Sequence, residues 1–150
     1  MRNVKESISQ TSKHYFENGY HCAEAIVASV LEGMGIDASD AVAHATPFGG
    51  GMGRTLQETC GALTGCLIVI GHFHGRHVPG TSWDKPAQLA ANIRQTFLDR
   101  FETTSCIRLR DRFGDEMQPK ECCHIVKILA AGLVDLLQRE PGIMNISGSV

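Results

Sequence analysis

The chain has 150 residues, 43% of them hydrophobic, with Lys+Arg 14 against Asp+Glu 16 and a formal net charge of −2. That size suits one domain able to bury about two-thirds of the surface its unfolded chain exposes, so folding needs no disulfides. The near-neutral balance gives no electrostatic case for nucleic acid. The first twenty residues mix charge with apolar side chains and form neither a signal peptide nor a membrane span.

Val4, Ile8, Tyr15 and Phe16 carry a helical spacing from Val4 to Asn18, and Asn18-Gly19 supplies its stop. Cys22 opens a second helix, whose stripe of Ala25, Ile26, Val30 and Met34 ends at Gly33 and Gly35. A short third helix is predicted from Ser39 to about Ala45, N-capped by Ser39 or Asp37. Pro47 and the glycines 49, 50, 51 and 53 then forbid a helix. Thr55-Leu56-Gln57-Glu58 reads as a capping box that starts a fourth helix from Leu56 to about Gly75. No charge falls between Cys60 and Gly71, so this should be the buried central helix, with Gly61 and Gly65 admitting a neighbouring backbone. Ser82 caps a long amphipathic helix from Trp83 to about Thr103, with Leu89, Ile93, Phe97 and Phe101 on its buried side. Cys106 to Phe113 reads as a short helix stopped by Gly114, and Pro119 as the first position of a last helix running to about Arg139. The expectation is an all-α, single-domain bundle of about five to seven helices, with a core over residues 4–139 and a tail over 140–150.

The cysteines carry the functional signal. On these boundaries Cys22, Cys106 and Cys123 lie in first turns and Cys60 just inside a helix start. The unpaired N–H groups and partial positive charge there favour a thiolate. No local spacing matches a ferredoxin or zinc ribbon, so any shared site has to be assembled from separate helices. Four such thiolates suit an iron–sulfur cluster or a tetrahedral zinc, and two suit a reversible disulfide that needs no cofactor. Cys66, in a wholly apolar run, reads first as a packed core thiol, with Cys122 as a further candidate beside Cys123. A Cys122–Cys123 disulfide would be strained, because helix neighbours diverge by about 100°.

His72, His74 and His77 form an H-x-H-x-x-H set able to hold a metal, although histidines at a helix C-terminus also simply suit its dipole. The loop of Gly49, Gly50, Gly51, Gly53 and Arg54 looks like an anion cradle feeding a helix. Both nucleotide fingerprints fail, however: no strand precedes it, and no Lys-Ser/Thr follows. Its remaining role is close backbone approach to sulfur.

Gly19-Tyr20-His21-Cys22-Ala23-Glu24-Ala25, Phe48 to Arg54, Cys60-Gly61-Ala62-Leu63-Thr64-Gly65, Cys106 and Cys123 together resemble the C_GCAxxG_C_C family of small bacterial and archaeal redox-active proteins. The resemblance runs from about Val4 to Leu137, although the family name writes Gly-Cys-Ala where this chain reads Cys60-Gly61-Ala62. It implies a helical domain with a four-cysteine set at Cys22, Cys60, Cys106 and Cys123. Because a related domain occurs in an iron–sulfur cytochrome, it also implies cluster binding as one role.

The sequence thus reads as a cytoplasmic redox protein that binds an iron–sulfur cluster or cycles between dithiol and disulfide, Cys60 and Cys22 being the redox thiols. The expected partners are another redox protein and a second copy of the chain, with no membrane. Two other readings stay open: a zinc-stabilised structural module and a small-molecule binder using the Gly49 to Arg54 loop.

Overall fold

A computed structural model describes residues 3–141, so residues 142–150 of the predicted tail lie outside the described residues. The order is α1 (Val4–Glu17), α2 (Cys22–Gly33), α3 (Ser39–Ala45), a 3₁₀ turn (Thr46–Phe48), α4 (Gly61–His74), α5 (Asp84–Phe101) and α6 (Cys106–Gln138). Among these residues no strand forms, and one isolated antiparallel bridge joins Thr59 to Ser105. No helix among them is long and apolar enough to cross a membrane.

The centre of the core is α2, buried continuously from Ala25 to Leu31. Against it packs α4, buried along its first two turns but presenting Leu67, Gly71 and His72 to solvent. The expected close approach at Gly61 and Gly65 is therefore made within the chain, by α2. A Cβ at Gly65 would lie 2.8 Å from the Ala23 carbonyl oxygen and 3.1 Å from Ile26 Cβ, whereas one at Gly71 would meet nothing within 4 Å. Gly65→Ala is expected to destabilise the fold by about 1–3 kcal/mol through that backbone clash. Gly71→Ala, a solvent-facing helix position, is expected to stabilise it by about 0.5–1 kcal/mol. Urea denaturation midpoints measured side by side would check both signs.

α1 crosses α2 and α6. Tyr15 Oη donates to Glu32 at 2.6 Å, Ser9 Oγ donates to the Lys127 carbonyl at 3.2 Å, and Lys5 pairs with Asp135 at 3.1 Å. At the other end of the chain order, Phe97 of α5 is fully buried and stacks at a tilt on Phe101, 5.0 Å between centroids.

Three boundaries differ from expectation. The fourth helix begins at Gly61, not Leu56, because residues 50–58 are consumed by another structure. Gly50, Gly51, Met52, Gly53 and Arg54 have φ between 62° and 66°, and Leu56 has 63°, a left-handed path that no α-helix can enter. Thr55 Oγ1 donates to the Gly51 carbonyl instead of capping a helix. Leu56 N–H and Glu58 N–H bond back to the Gly50 and Gly51 carbonyls.

The last helix does not begin at Pro119. α6 is broken at Gly114 (φ 75, ψ 158), as its glycine suggested, but it resumes at once, leaving Pro119 inside the resumed segment. Arg110, before the break, donates to Gln118, after it, at 3.2 Å and ties the two segments together. Finally, α5 starts at Asp84, one residue past the expected Trp83, whereas α3 starts at Ser39 as expected. The Asp37 carboxylate and the Ser82 hydroxyl accept from the N–H groups of those first helical residues.

Candidate functional site

Three helix N-termini meet at one place, and each carries a cysteine: Cys22 is the first residue of α2, Cys60 the N-cap of α4 and Cys106 the first residue of α6. The meeting is made by main chain. Cys60 N–H donates to the Thr104 carbonyl (2.7 Å), Cys106 N–H to Glu58 (2.9 Å) and Ile107 N–H to Leu56 (2.8 Å), so the starts of α4 and α6 are stitched together. α2 reaches the same point because Gly61 has no side chain: a Cβ there would collide with the Cys22 sulfur.

The three cysteines open onto a cavity of about 970 Å³, and Cys122 of α6 joins them on its wall. Gly49, Gly50, Gly53 and Arg54 of the left-handed loop form another side of it. Gly51 lies behind, where a Cβ would be 2.7 Å from Cys106 Cβ.

The two sulfurs at the centre are pushed in opposite directions. The Cys22 thiol pKa falls well below the ordinary value, chiefly because the Cys60 thiol hydrogen-bonds to it. Burial opposes the fall, but His21 as hydrogen-bond partner and positive charge, together with the Gly50 N–H, overcomes it. Cys60 is raised well above the ordinary value by that same hydrogen bond to Cys22, then by burial and by the neighbouring negative charge. The pair therefore shares one proton, held by Cys60, with the negative charge on Cys22.

His21 is the N-cap of α2. In the neutral ring its Nδ1 accepts from Glu24 N–H at 3.4 Å, a bond that protonation of the ring gives up. Its Nε2 approaches the Thr46 carbonyl at 2.8 Å, and the Glu24 carboxylate accepts from His21 N–H at 3.2 Å. Burial alone would lower its pKa. The hydrogen bonds to Cys22 and Thr46 and the charges of Glu24 and Cys22 outweigh that and raise it above the usual imidazole value. An imidazolium beside a thiolate is the arrangement that keeps a cysteine nucleophilic at neutral pH.

Cys106 and Cys122 are resting thiols, raised first by burial and then by the Cys22 charge, with the Arg110 guanidinium pulling each the other way. Gln118 Nε2 also donates to Cys122 Sγ at 3.2 Å.

The remaining sequence candidates lie elsewhere. Cys123 sits on a separate groove of about 670 Å³ with Lys13, Glu17 and Lys127, and does not line the cavity that Cys22, Cys60, Cys106 and Cys122 share. Since the segment resumes right after Gly114, Cys123 is about two and a half turns along and not at a helix start, and the sulfur that faces the cavity is that of Cys122. Cys66 is wholly buried in the core, its thiol driven far up by desolvation. His72 and His74 end α4, about 20 Å from its cysteine-bearing start, and His77 follows in the loop beyond. Among the described residues, no three or more His, Cys, Asp or Glu side chains stand together as a metal would need, either at these histidines or at the cavity.

Sequence reading did not single out His21, Arg110 or Gln118. His21 carries a local signal, a polar side chain directly before Cys22 with Glu24 three residues on, but histidine is not among the favoured capping residues. The other two stand on either side of the Gly114 break in α6 and bond to each other across it at the cavity, a pairing that local spacing does not show.

Comparison with curated proteins and with solved structures finds no match to this chain. A family model described as "Putative redox-active protein (C_GCAxxG_C_C)" matches residues 20–136, a span that begins just before His21 and takes in the left-handed loop and all four cavity cysteines. The chain belongs to the C_GCAxxG_C_C family of redox-active proteins.

Proposed function

We propose that this protein is a dithiol–disulfide oxidoreductase in which Cys22 is the attacking thiolate and Cys60 the resolving thiol. The observation that carries the reading is geometric: Cys22 and Cys60, at two adjoining helix N-termini, open onto one cavity, with Cys22 packed so closely on the start of α4 that a Cβ on Gly61 would collide with its sulfur. The opposite pKa directions of the two thiols agree with it.

The chemistry follows from that asymmetry. The Cys22 thiolate attacks one sulfur of a disulfide RS–SR, forming Cys22–S–S–R and expelling RS⁻, which takes the proton from the His21 imidazolium. Cys60 then loses its proton and attacks the Cys22 sulfur. The Cys22–Cys60 disulfide forms, and the second RS⁻ leaves with that proton as RSH. The substrate gains two electrons and the protein loses two, so a dithiol reductant, the natural redox partner, must restore the pair.

An iron–sulfur cluster or zinc fits less well, because among the described residues no ligating group of three converges at the cavity. Anaerobically purified protein is expected to be colourless, with a free-thiol count that falls by two on mild oxidation. Brown protein with acid-labile sulfide would defeat the reading.

Alkylation by iodoacetamide tests the nucleophile directly. The rate at Cys22, followed by mass spectrometry, should have its pH inflection well below that of an ordinary thiol, near pH 8.5 in an unperturbed chain. His21→Asn keeps a capping side chain but removes the imidazolium, and is expected to move that inflection up while leaving the fold intact.

A further inference from the structure

We propose that the cavity beside Cys22 selects small disulfides that carry carboxylates, with Arg54 and Arg110 as the anion receptors. The inference rests on the dithiol reading above and adds to it the class of substrate.

Its ground is an unmatched charge. Arg54 and Arg110 both line the cavity, from the loop and from α6. Among the described residues neither pairs with a carboxylate, and Arg110 is held only by the Gln118 amide oxygen at 3.2 Å. The single acid on the wall, Glu24, is already engaged by His21 and by Thr46 Oγ1 at 2.8 Å. A thiolate alone would repel an anionic disulfide. Two guanidinium forks lining the same cavity reverse that, and their shape suits carboxylates.

The backbone at Arg54 adds an independent reason. Arg54 holds φ 63 between Gly53 and Thr55, at a position where glycine would be unstrained and arginine is not. Its N–H is fixed to the Gly49 carbonyl at 3.2 Å, which sets the side chain over the same loop that offers the Gly50 N–H to Cys22. The cavity, about 970 Å³, accommodates a molecule of tripeptide size.

The test compares three disulfides of different charge on the intact protein: glutathione disulfide, 2-hydroxyethyl disulfide and cystamine. Thiolation of Cys22 should be fastest with the anionic one and slowest with the cationic one, and the preference should shrink with added salt. In Arg54→Gln/Arg110→Gln the anionic disulfide is expected to slow by about a hundredfold, roughly tenfold for each charge-assisted hydrogen-bonding partner removed. The neutral disulfide and iodoacetamide should keep their rates, which would show Cys22 unharmed. Equal rates for all three disulfides, with iodoacetamide still reacting, would overturn the charge selection and leave the dithiol reading standing. Failure of every disulfide at an alkylatable Cys22 would overturn both.

Discussion

Cys22→Ser is expected to lower the rate of disulfide reduction by about a thousandfold or more, because a serine hydroxyl carries no thiolate and the remaining cysteines are raised-pKa thiols. Cys60→Ser should behave differently. The first attack still occurs, since the serine hydroxyl can donate to the Cys22 sulfur, but nothing resolves the product. Mass spectrometry should then find one substrate fragment held on Cys22, released only by external thiol. In Cys60→Ala the donor itself is gone, so the alkylation inflection of Cys22 should also move up. Cys106→Ser and Cys123→Ser are the contrast: Cys106 is a resting thiol on the wall, and Cys123 lies on another groove. Neither is expected to trap a mixed disulfide. If Cys60→Ser turned over like the unaltered protein, resolution would belong to Cys106 or Cys122.

The same four residues show how far a sequence can be read. Cys22, Cys60 and Cys106 sit at helix starts, but only for Cys106 does a favoured local cap make that legible. Ser105 before it accepts from Arg108 N–H at 3.4 Å, as its identity suggests, whereas α2 is capped by a histidine and α4 has no side-chain cap. The choice between Cys122 and Cys123 is not local. Adjacent helix residues point about 100° apart, so the choice depends on the phase of α6, and the phase on whether the helix resumes at Gly114 or at Pro119.

Thr55 to Glu58 departs from its pattern for a related reason. A capping-box pattern describes what a segment can do alone, and here its backbone is claimed by the Gly50 and Gly51 carbonyls and by the start of α6. The arginines between Arg108 and Arg112 divide in the same manner. Arg112 Nη1 donates to the Phe101 carbonyl at 2.8 Å, while Arg110 turns to the cavity. Long-range packing, invisible to pattern, makes that division.

Gly51→Ala should be a strongly damaging single-methyl change near the site, with an expected loss of about 3 kcal/mol or more. Two costs add there. The position has φ 65, which an L-residue holds at about 1–2 kcal/mol. The new Cβ would also lie 2.7 Å from Cys106 Cβ and 3.0 Å from the Leu56 main chain, and neither is the free end of a flexible side chain. Gly53→Ala separates the two costs: its φ is 63 but nothing lies within 4 Å, so only the conformational cost of about 1–2 kcal/mol remains.

The difference between the two variants in urea midpoint therefore measures how tightly the loop is pressed onto the start of α6. It also bears on the chemistry. Leu56 accepts from Ile107 N–H and donates to Gly50, and Gly50 in turn supplies an N–H to the Cys22 sulfur, so displacing Leu56 should loosen that donor. Gly51→Ala is then expected to raise the alkylation inflection of Cys22 as well as lower stability, whereas Gly53→Ala lowers stability alone. Equal inflections in the two variants would mean that the loop braces the fold without tuning the thiolate.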